Sequence, residues 1–333
     1  MTIITRRGLA GTALGGLALG AGLSAGSTAH AQDFPRRGPI RILVPQAAGS
    51  ATDVMSRALA AGMSAVLGQQ FVIDNRPGAG GIRGAELLAK AEPDGYTLGI
   101  ANISTHAVNP GLYRNLPYDP IKDFTPISLS ALIGNAVIVH DALPARTLAE
   151  FIEYARRNPG KVSYASAGQG SSQQLVAELL ASMAGGLKML HVPYRGTGPG
   201  VIAVMTGEVD MMIPTIASAL PGVQSGRARA LAVTTEAPVK DLPDVPIAAA
   251  TLPGYVVTSW YGLAGPAGLP APIVARLGEA VATAVKRPDT VRPMVAAGFE
   301  PVSGTPDAFT AYIRDEIARW KQVITDAGIK IES

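Results

Sequence analysis

Apolar residues in this chain return in two rhythms that alternate along its length. Compact β-branched runs read as strands, and stretches whose apolar positions recur every three or four residues read as helices. "IRILV" (40–44), "QFVIDN" (70–75) and "YTLGIA" (96–101) form a first series of strands. "NAVIVH" (135–140) opens a second series. It continues through "VSYAS" (162–166), "LKMLHVPY" (187–194), "VDMMI" (209–213) and "ARALAVTT" (228–235). Between them, residues 53–68 put Val54, Met55, Ala58, Leu59, Met63, Val66 and Leu67 on one helical face and stop at Gly68. "AELLAKAE" (85–92), "TLAEFIEYARRNPG" (147–160), "SQQLVAELLASMAGG" (172–186) and "PGVIAVMTG" (199–207) are further helices. The second-last of these turns Leu175, Val176, Leu179, Leu180 and Met183 inward. A Pro-rich connection (238–246), the run "YVVTSWYGLAG" (255–265) and two long amphipathic helices complete the chain. The final helix is capped by Thr305, has Pro306 in its first turn and ends at Gly328. Its stripe of Phe309, Tyr312, Ile313, Ile317, Trp320, Val323 and Ile324 reads as core. Strands alternating with helices predict an α/β fold.

The first residues do not belong to that pattern. "TRRGLAGTALGGLALGAGLSAGSTAHAQ" opens with Arg6 and Arg7, continues uncharged from Gly8 to Leu23 and reaches an Ala-x-Ala site at Ala29–Ala31. This predicts an export signal over residues 1–31, cleaved after Ala31. The arginine pair fits a twin-arginine signal as well as an ordinary secretory one. The signal holds two of the 28 basic residues and none of the 25 acidic ones, so the remaining chain carries a net charge of about +1. That balance, with no basic run interleaved with aromatics, argues against a nucleic-acid partner. There is no cysteine, which excludes disulfides, a thiol nucleophile, thiolate metal sites and a lipidated cysteine.

Three units share one layout of apolar strand, small-residue loop and helix start: "ILVPQAAGSATD" (42–53), "YASAGQGSSQQ" (164–174) and "VPYRGTGPG" (192–200). The first amides of a helix lack intrahelical partners and carry partial positive charge, so such loops attract anions. Ser50, Thr52, Ser171, Ser172 and Thr197 add hydroxyl donors. Helix capping alone explains each loop, and Ser50–Asp53 and Ser171–Gln174 both match a capping box. Three such loops with few charges point toward a shared site.

Patterns for chemistry are mostly missing. Tyr164 breaks a Gly-x-Ser-x-Gly around Ser166, no phosphate loop ends in Lys-Ser/Thr, and "GAGGIRG" (78–84) misses dinucleotide spacing at Arg83. His106, His140 and His191 stand singly, so no metal set and no cofactor site are expected. Among charged residues near the loops, Arg195 is the candidate for a second anionic group of a ligand, with a surface ion pair as its plainer role.

The succession "NRPGAGG", "AKAEPDGYTL", "NPGLYRNLPYDPIKDFTPIS", "YASAGQGSSQQL", "HVPYRGTGP", "GEVDMM" and "SWYGLAGPAGLP" resembles the Bug family, periplasmic substrate-binding proteins of tripartite tricarboxylate transporters. The resemblance runs from about Ile40 to the C-terminal helix. It implies a type II periplasmic-binding-protein fold, two α/β lobes joined by crossing hinge strands. Residues 32–133 plus 237–333 would form one lobe and 134–236 the other. It also implies a small carboxylate ligand held by loop amides and hydroxyls. In the first loop the family's pattern is kept at Val44, Pro45, Ala47, Gly49, Thr52 and Asp53. The loop departs from it at Gln46, Ala48, Ser50 and Ala51, which implies a narrower, more polar pocket. The second loop has Gln173-Gln174 where the family often has Gln-His, and no acidic residue stands near Pro214.

The residues expected to face the ligand are therefore Gln46, Ala48, Gly49, Ser50, Ala51, Thr52, Asp53 and Ser104 in one lobe. In the other they are Ser166, Gly168, Gly170, Ser171, Gln173, Gln174, Arg195, Gly196 and Thr197. The expected protein is a monomeric, non-enzymatic periplasmic carrier of a small mono-, di- or tricarboxylate, delivering it to membrane transporter subunits. A ligand sensor for a receptor kinase and an exported hydrolase using Ser166 or Ser171 with His191 remain the alternatives.

Overall fold

The structure, a computed structural model, describes residues 34–326, so the predicted signal over 1–31 and the predicted helix stop at Gly328 lie outside the described residues. In chain order the elements are β1 (Ile40–Val44), α1 (Ala51–Leu67), β2 (Phe71–Asn75), α2 (Ile82–Ala89), β3 (Thr97–Asn102), a π-helical segment (Ile103–Val108), α3 (Asn109–Leu112) and β4 (Phe124–Gly134). Then follow β5 (Ala136–His140), α4 (Leu148–Arg157), β6 (Ser163–Ser166), α5 (Ser172–Met183), β7 (Leu190–Pro193), α6 (Thr197–Thr206), β8 (Met211–Met212), α7 (Ile216–Gln224) and β9 (Ala228–Val233). The chain closes with β10 (Thr258–Pro266), α8 (Ala271–Ala284), α9 (Pro288–Ala296), β11 (Glu300–Pro301) and α10 (Pro306–Asp326). No described helix is long and apolar enough to cross a membrane.

The strands sort into two sheets. One has the order β11-β4-β10-β3-β1-β2 and draws on both ends of the chain. The other, β7-β6-β8-β5-β9, is built from residues 136–233 alone. Strand β1 runs parallel to β2 and β3, and β10 returns antiparallel between β3 and β4. In the second sheet β6 is parallel to β7 and β8, while β5 pairs antiparallel with β8 and β9. Covered on both faces, β1 is nearly all apolar. Ile40, Ile42 and Val44 pack with Met55, Leu59 and Met63 of α1 and Leu277 and Val281 of α8, and Leu43 faces the opposite core.

The chain passes between the sheets through a buried knot. The Asn135 amide donates to Thr234 Oγ1 (3.1 Å) and the Thr234 amide returns to the Asn135 carbonyl (2.9 Å). Asn135 Nδ2 then donates to the Val257 carbonyl (3.2 Å), whose own amide donates to Thr234 O (2.8 Å). One apolar cluster continues across this region, joining Leu43, Val108 and Phe124 to Tyr164, Leu175 and Val176 through Trp260 and Trp320. The stripe on α10 is core at Phe309, Ile313, Trp320, Val323 and Ile324, with Tyr312 and Ile317 at its margin. Inside it lies a carboxylate that the pattern did not predict. Glu316 Oε2 accepts from both Trp260 Nε1 and Trp320 Nε1 at 3.0 Å.

Local differences from the pattern have physical causes. Val54 lies outside the buried stripe of α1. Ser56 is buried instead, because its hydroxyl folds back onto the Thr52 carbonyl (2.6 Å). The pattern predicts two long helices after β10, and the structure has three, because Pro288 starts α9 afresh. Helix α6 begins at Thr197 rather than Pro199 and stops at Gly207, whose φ is 75°.

Candidate functional site

Between the two sheets lies a cleft of about 600 Å³, formed where loops leave the C-terminal ends of β1, β3, β6 and β7. In open α/β sheets this edge is where ligands bind. From the first sheet's side it is lined by Pro45, Gln46, Ala47, Gly49–Thr52, Pro77, Gly78, Gly80, Gly81, Asn102–Ser104, Ser259 and Tyr261. From the second come Ala167, Gly170–Gln173, Gly196–Gly198, Thr215 and Ser218. None of these lining residues is charged.

Helices α1 and α5 enter the cleft through the same clasp. Ser50 is the N-cap of α1, and its Oγ accepts from the Asp53 amide (3.2 Å); Ser171 caps α5, and its Oγ accepts from the Gln174 amide (3.4 Å). The capping box predicted for both is half made. Its return bond reaches one residue further back, from the Gly49 amide to Asp53 Oδ2 (2.9 Å) and from the Gly170 amide to Gln174 Oε1 (2.7 Å). Both glycines have positive φ, 80° and 72°, so the clasp needs glycine there. The clasp uses the third amide of each helix and the glycine before its cap. It leaves the first two helical amides, Ala51 and Thr52 in α1 and Ser172 and Gln173 in α5, without intrahelical partners. Helix α6 adds a third start, its N-cap Gly196 at φ 128° and without a side-chain cap.

The amide side chains are tied so that their free ends are donors. Gln46 Oε1 accepts from Asn102 Nδ2 (3.1 Å) and its carbonyl from Asn75 Nδ2 (3.0 Å), which leaves the Gln46 NH2 group for the cleft. Asn102 Oδ1 is itself taken by the Thr105 amide (3.0 Å). Gly81 makes this packing feasible, since a Cβ there would sit 2.7 Å from Thr105 Cγ2 and 3.4 Å from Gln46 Nε2. Across the cleft Gln173 Nε2 donates to Thr197 Oγ1 (3.3 Å), leaving the threonine proton available. Burial pushes the Tyr261 hydroxyl up to about 12, against the opposing effect of Thr52, so it stays protonated and a donor.

Of the sequence-predicted residues, Gln46, Gly49, Ser50, Ala51, Thr52, Ser104, Gly170, Ser171, Gln173, Gly196 and Thr197 come together on this cleft. Ala48 and Arg195 are exposed and stand off the lining. Asp53 and Gln174 are buried behind it as clasp residues. Burial would raise the Asp53 carboxyl, but Arg57, the Gly49 amide and Asn75 together hold it below the usual range. Ser166 is fully buried, and its Oγ meets His191 Nε2 at 2.6 Å and the Gly168 amide at 3.1 Å, so Ser166 and Gly168 support the second loop from behind. The pattern missed Gly78, Gly80 and Gly81. Their signal was a glycine run following β2, which dinucleotide spacing discarded. Thr215 and Ser218 had a hydroxyl signal at a helix start, and their side chains hydrogen-bond each other (3.0 Å). Ser259 and Tyr261 lie on the crossing strand β10, inside the run "SWYGLAGPAGLP" that carried part of the family resemblance, but nothing in that run marked either as a cleft residue.

Residues 55–329 match the model of a family described as the tripartite tricarboxylate transporter family receptor. A Pseudomonas sp. (strain P51) protein encoded in the tcbD-tcbE intergenic region is 38% identical over 315 residues, 94% of this chain and 93% of that protein. Among solved structures, R. palustris Rpa4515 with adipate has a TM-score of 0.81 and 36% identity, covering 90% of this chain and all of that one. MatC of Rhodopseudomonas palustris with bound malate has a TM-score of 0.78 and 34% identity, covering 87% of this chain and all of the other.

Proposed function

The chain belongs to the tripartite tricarboxylate transporter receptor family, and from that premise we propose that it captures a small carboxylate in the cleft and delivers it to membrane transporter subunits, without chemistry. On this reading it is exported to the periplasm after cleavage at Ala31 and works as a monomer. Its lobes, 32–133 plus 237–333 and 134–236, close over the ligand about the Asn135–Thr234–Val257 knot. The observation that carries the reading is the cleft itself, where three helix starts and the Gln46, Thr197 and Tyr261 donors face a space with no charged lining side chain. Adipate and malate in the two similar structures suggest dicarboxylates as the first ligands to try. The test is a thermal-shift screen of di- and tricarboxylates, amino acids, aromatic acids, sugars and cations, since a ligand that binds only the native state raises its melting temperature. A shift with carboxylates is expected; a shift with sugars or cations and none with any carboxylate overturns the reading.

One observation favours a second reading, an exported hydrolase, because Ser166 Oγ lies 2.6 Å from His191 Nε2. Ser166 is fully buried and absent from the cleft lining, however, so a substrate in the cleft does not meet its hydroxyl. Hydrolysis of p-nitrophenyl esters that is lost in Ser166→Ala would revive that reading.

A further inference from the structure

Ser166 Oγ has three neighbours and one proton. The Gly168 amide donates to it (3.1 Å), the Gly168 carbonyl lies 3.0 Å away as an acceptor, and His191 Nε2 lies at 2.6 Å. If Ser166 donates to His191, the Gly168 carbonyl faces the hydroxyl with no proton between them. If His191 donates instead, Ser166 donates to Gly168 O and all three contacts are satisfied. The geometry therefore puts the ring proton on Nε2. A histidine that donates to a serine is not poised to take that serine's proton.

We propose that His191 is a positioning residue of the ligand site: through Nε2–H it fixes Ser166 and with it the 166–170 turn that sets Gly170 and Ser171 on the cleft. The turn depends on this anchor because its backbone is unusual. Gly168 has φ 126° and Gly170 φ 72°, so the chain reverses sharply between the end of β6 and the cap of α5. Ser166 O also holds the Tyr194 amide (3.0 Å), which ties the same point to the approach to α6. The ring is kept in place by Tyr164, stacked on it with centroids 5.0 Å apart and planes 21° from parallel. Tyr164 in turn donates its hydroxyl to Glu178 of α5. His191 thus joins β6, β7 and the starts of α5 and α6, four of the elements on which the second half of the cleft is built. This inference rests on the proposed carboxylate site for its consequence in binding, but not for its geometry.

Protonation provides a second handle. Strand β6 packs against β7, and the titratable group it turns toward the ring is Tyr164, with Glu178 of α5 reaching the Tyr164 hydroxyl. Burial holds His191 below its ordinary value. When acid does protonate it, the new proton goes to Nδ1 and the Nε2–H bond to Ser166 persists.

The experiment compares wild type, His191→Phe and His191→Gln. Phe keeps a ring to stack on Tyr164 and removes the donor, whereas Gln restores an N–H at the reach of Nε2. Histidine-ring nitrogen NMR on the free protein is expected to find His191 as the Nε2–H tautomer. The Gly168 and Gly170 amide resonances should move in His191→Phe, return toward wild type in His191→Gln and stay in place as wild type is taken from pH 7.5 to 5.5. Calorimetry with adipate or malate is expected to find binding about five- to tenfold weaker in His191→Phe, the effect of one hydrogen bond, and largely recovered in His191→Gln. An Nδ1–H tautomer, or unmoved glycine amides in His191→Phe, overturns the proposal. If neither acid binds wild type, the carboxylate reading has failed instead, while the NMR result still decides the role of His191.

Discussion

The most quantitative expectation concerns His106, in the π-helical segment directly behind the cleft. Its ring is 1% exposed and packs on Phe124 with centroids 4.5 Å apart; Nδ1 lies 2.9 Å from Thr105 Oγ1, and Nε2 has no partner. Burial lowers its pKa from 6.5 to about 3. The native state therefore keeps the ring neutral over a range in which the unfolded chain takes up a proton. Stability linked to His106 is fully present above pH 6.5 and is lost as pH falls from there toward 3. At pH 5 the unfolded chain is favoured by about 1.5 log units of proton binding, or about 2 kcal/mol at roughly 1.4 kcal/mol per unit. This figure depends only on the native pKa lying well below 5. Aspartates contribute little above pH 5, and His191 contributes equally to wild type and variant. Urea unfolding of wild type and His106→Phe at pH 7.5 and pH 5.0 isolates the effect. Wild type should lose about 2 kcal/mol more than the variant between the two pH values. Equal losses would mean that His106 is solvated or protonated in the native protein, and the reasoning would fail.

Other expectations can be checked on the same material. Thr197→Val should weaken adipate or malate binding about five- to tenfold by calorimetry, with the melting temperature nearly unchanged, because it removes one hydroxyl at a half-exposed helix start. Gly81→Val should lose about 2–3 kcal/mol in urea unfolding, since φ is 86° and the new Cβ would lie 2.7 Å from Thr105 Cγ2 and 3.1 Å from Pro45 Cβ. Glu316→Leu strands two buried indole N–H groups and should cost about 3 kcal/mol in thermal or urea unfolding, while Glu316→Gln keeps an acceptor and should cost less.

What could be read from sequence followed from periodicity within one element. Strand β1, helix α1 with its stop at Gly68, and α10 with its Thr305 cap all carry their signal locally; the Ala308 amide does donate to Thr305 Oγ1 (3.2 Å). Strand β4 was not predicted, although it runs over eleven residues. Pro126 and the serines at 128 and 130 spoil its pattern, and the strand is held by pairing with β10, with register irregularities on either side of Gly262–Leu263. Glu316 was illegible for a related reason. A carboxylate at the edge of an apolar stripe reads as solvent-facing until the two indoles that bind it are placed by tertiary packing. For the cleft, the small-residue loops and cap serines could be read, but not which amides the caps would use. Asp53 and Gln174 look like cleft residues by spacing and instead turn back four residues to Gly49 and Gly170, a choice made by the positive φ of those glycines.

The distribution of charge around the cleft bears on how a carrier of this kind releases its ligand. Under the proposed reading, the donors are divided between the start of α1 with the 77–81 loop on one side and the starts of α5 and α6 on the other. Each hydrogen bond to an anion contributes about 1.5–3 kcal/mol net, so losing two on opening would weaken binding by about two to four orders of magnitude. A guanidinium on one wall would behave differently, attracting the anion in the open state as well and flattening that contrast. The cationic side chain nearest the first clasp, Arg57, is spent on Asp53 (3.0 Å) rather than directed into the cleft. Asp53 in turn is occupied by the Gly49 amide and Asn75 Nδ2, so a carboxylate that would otherwise repel an anion is turned into a brace for the loop. On that reading affinity depends on both walls being present together, and the Asn135–Thr234–Val257 knot and the apolar cluster around Trp260 would confine the motion proposed to separate them.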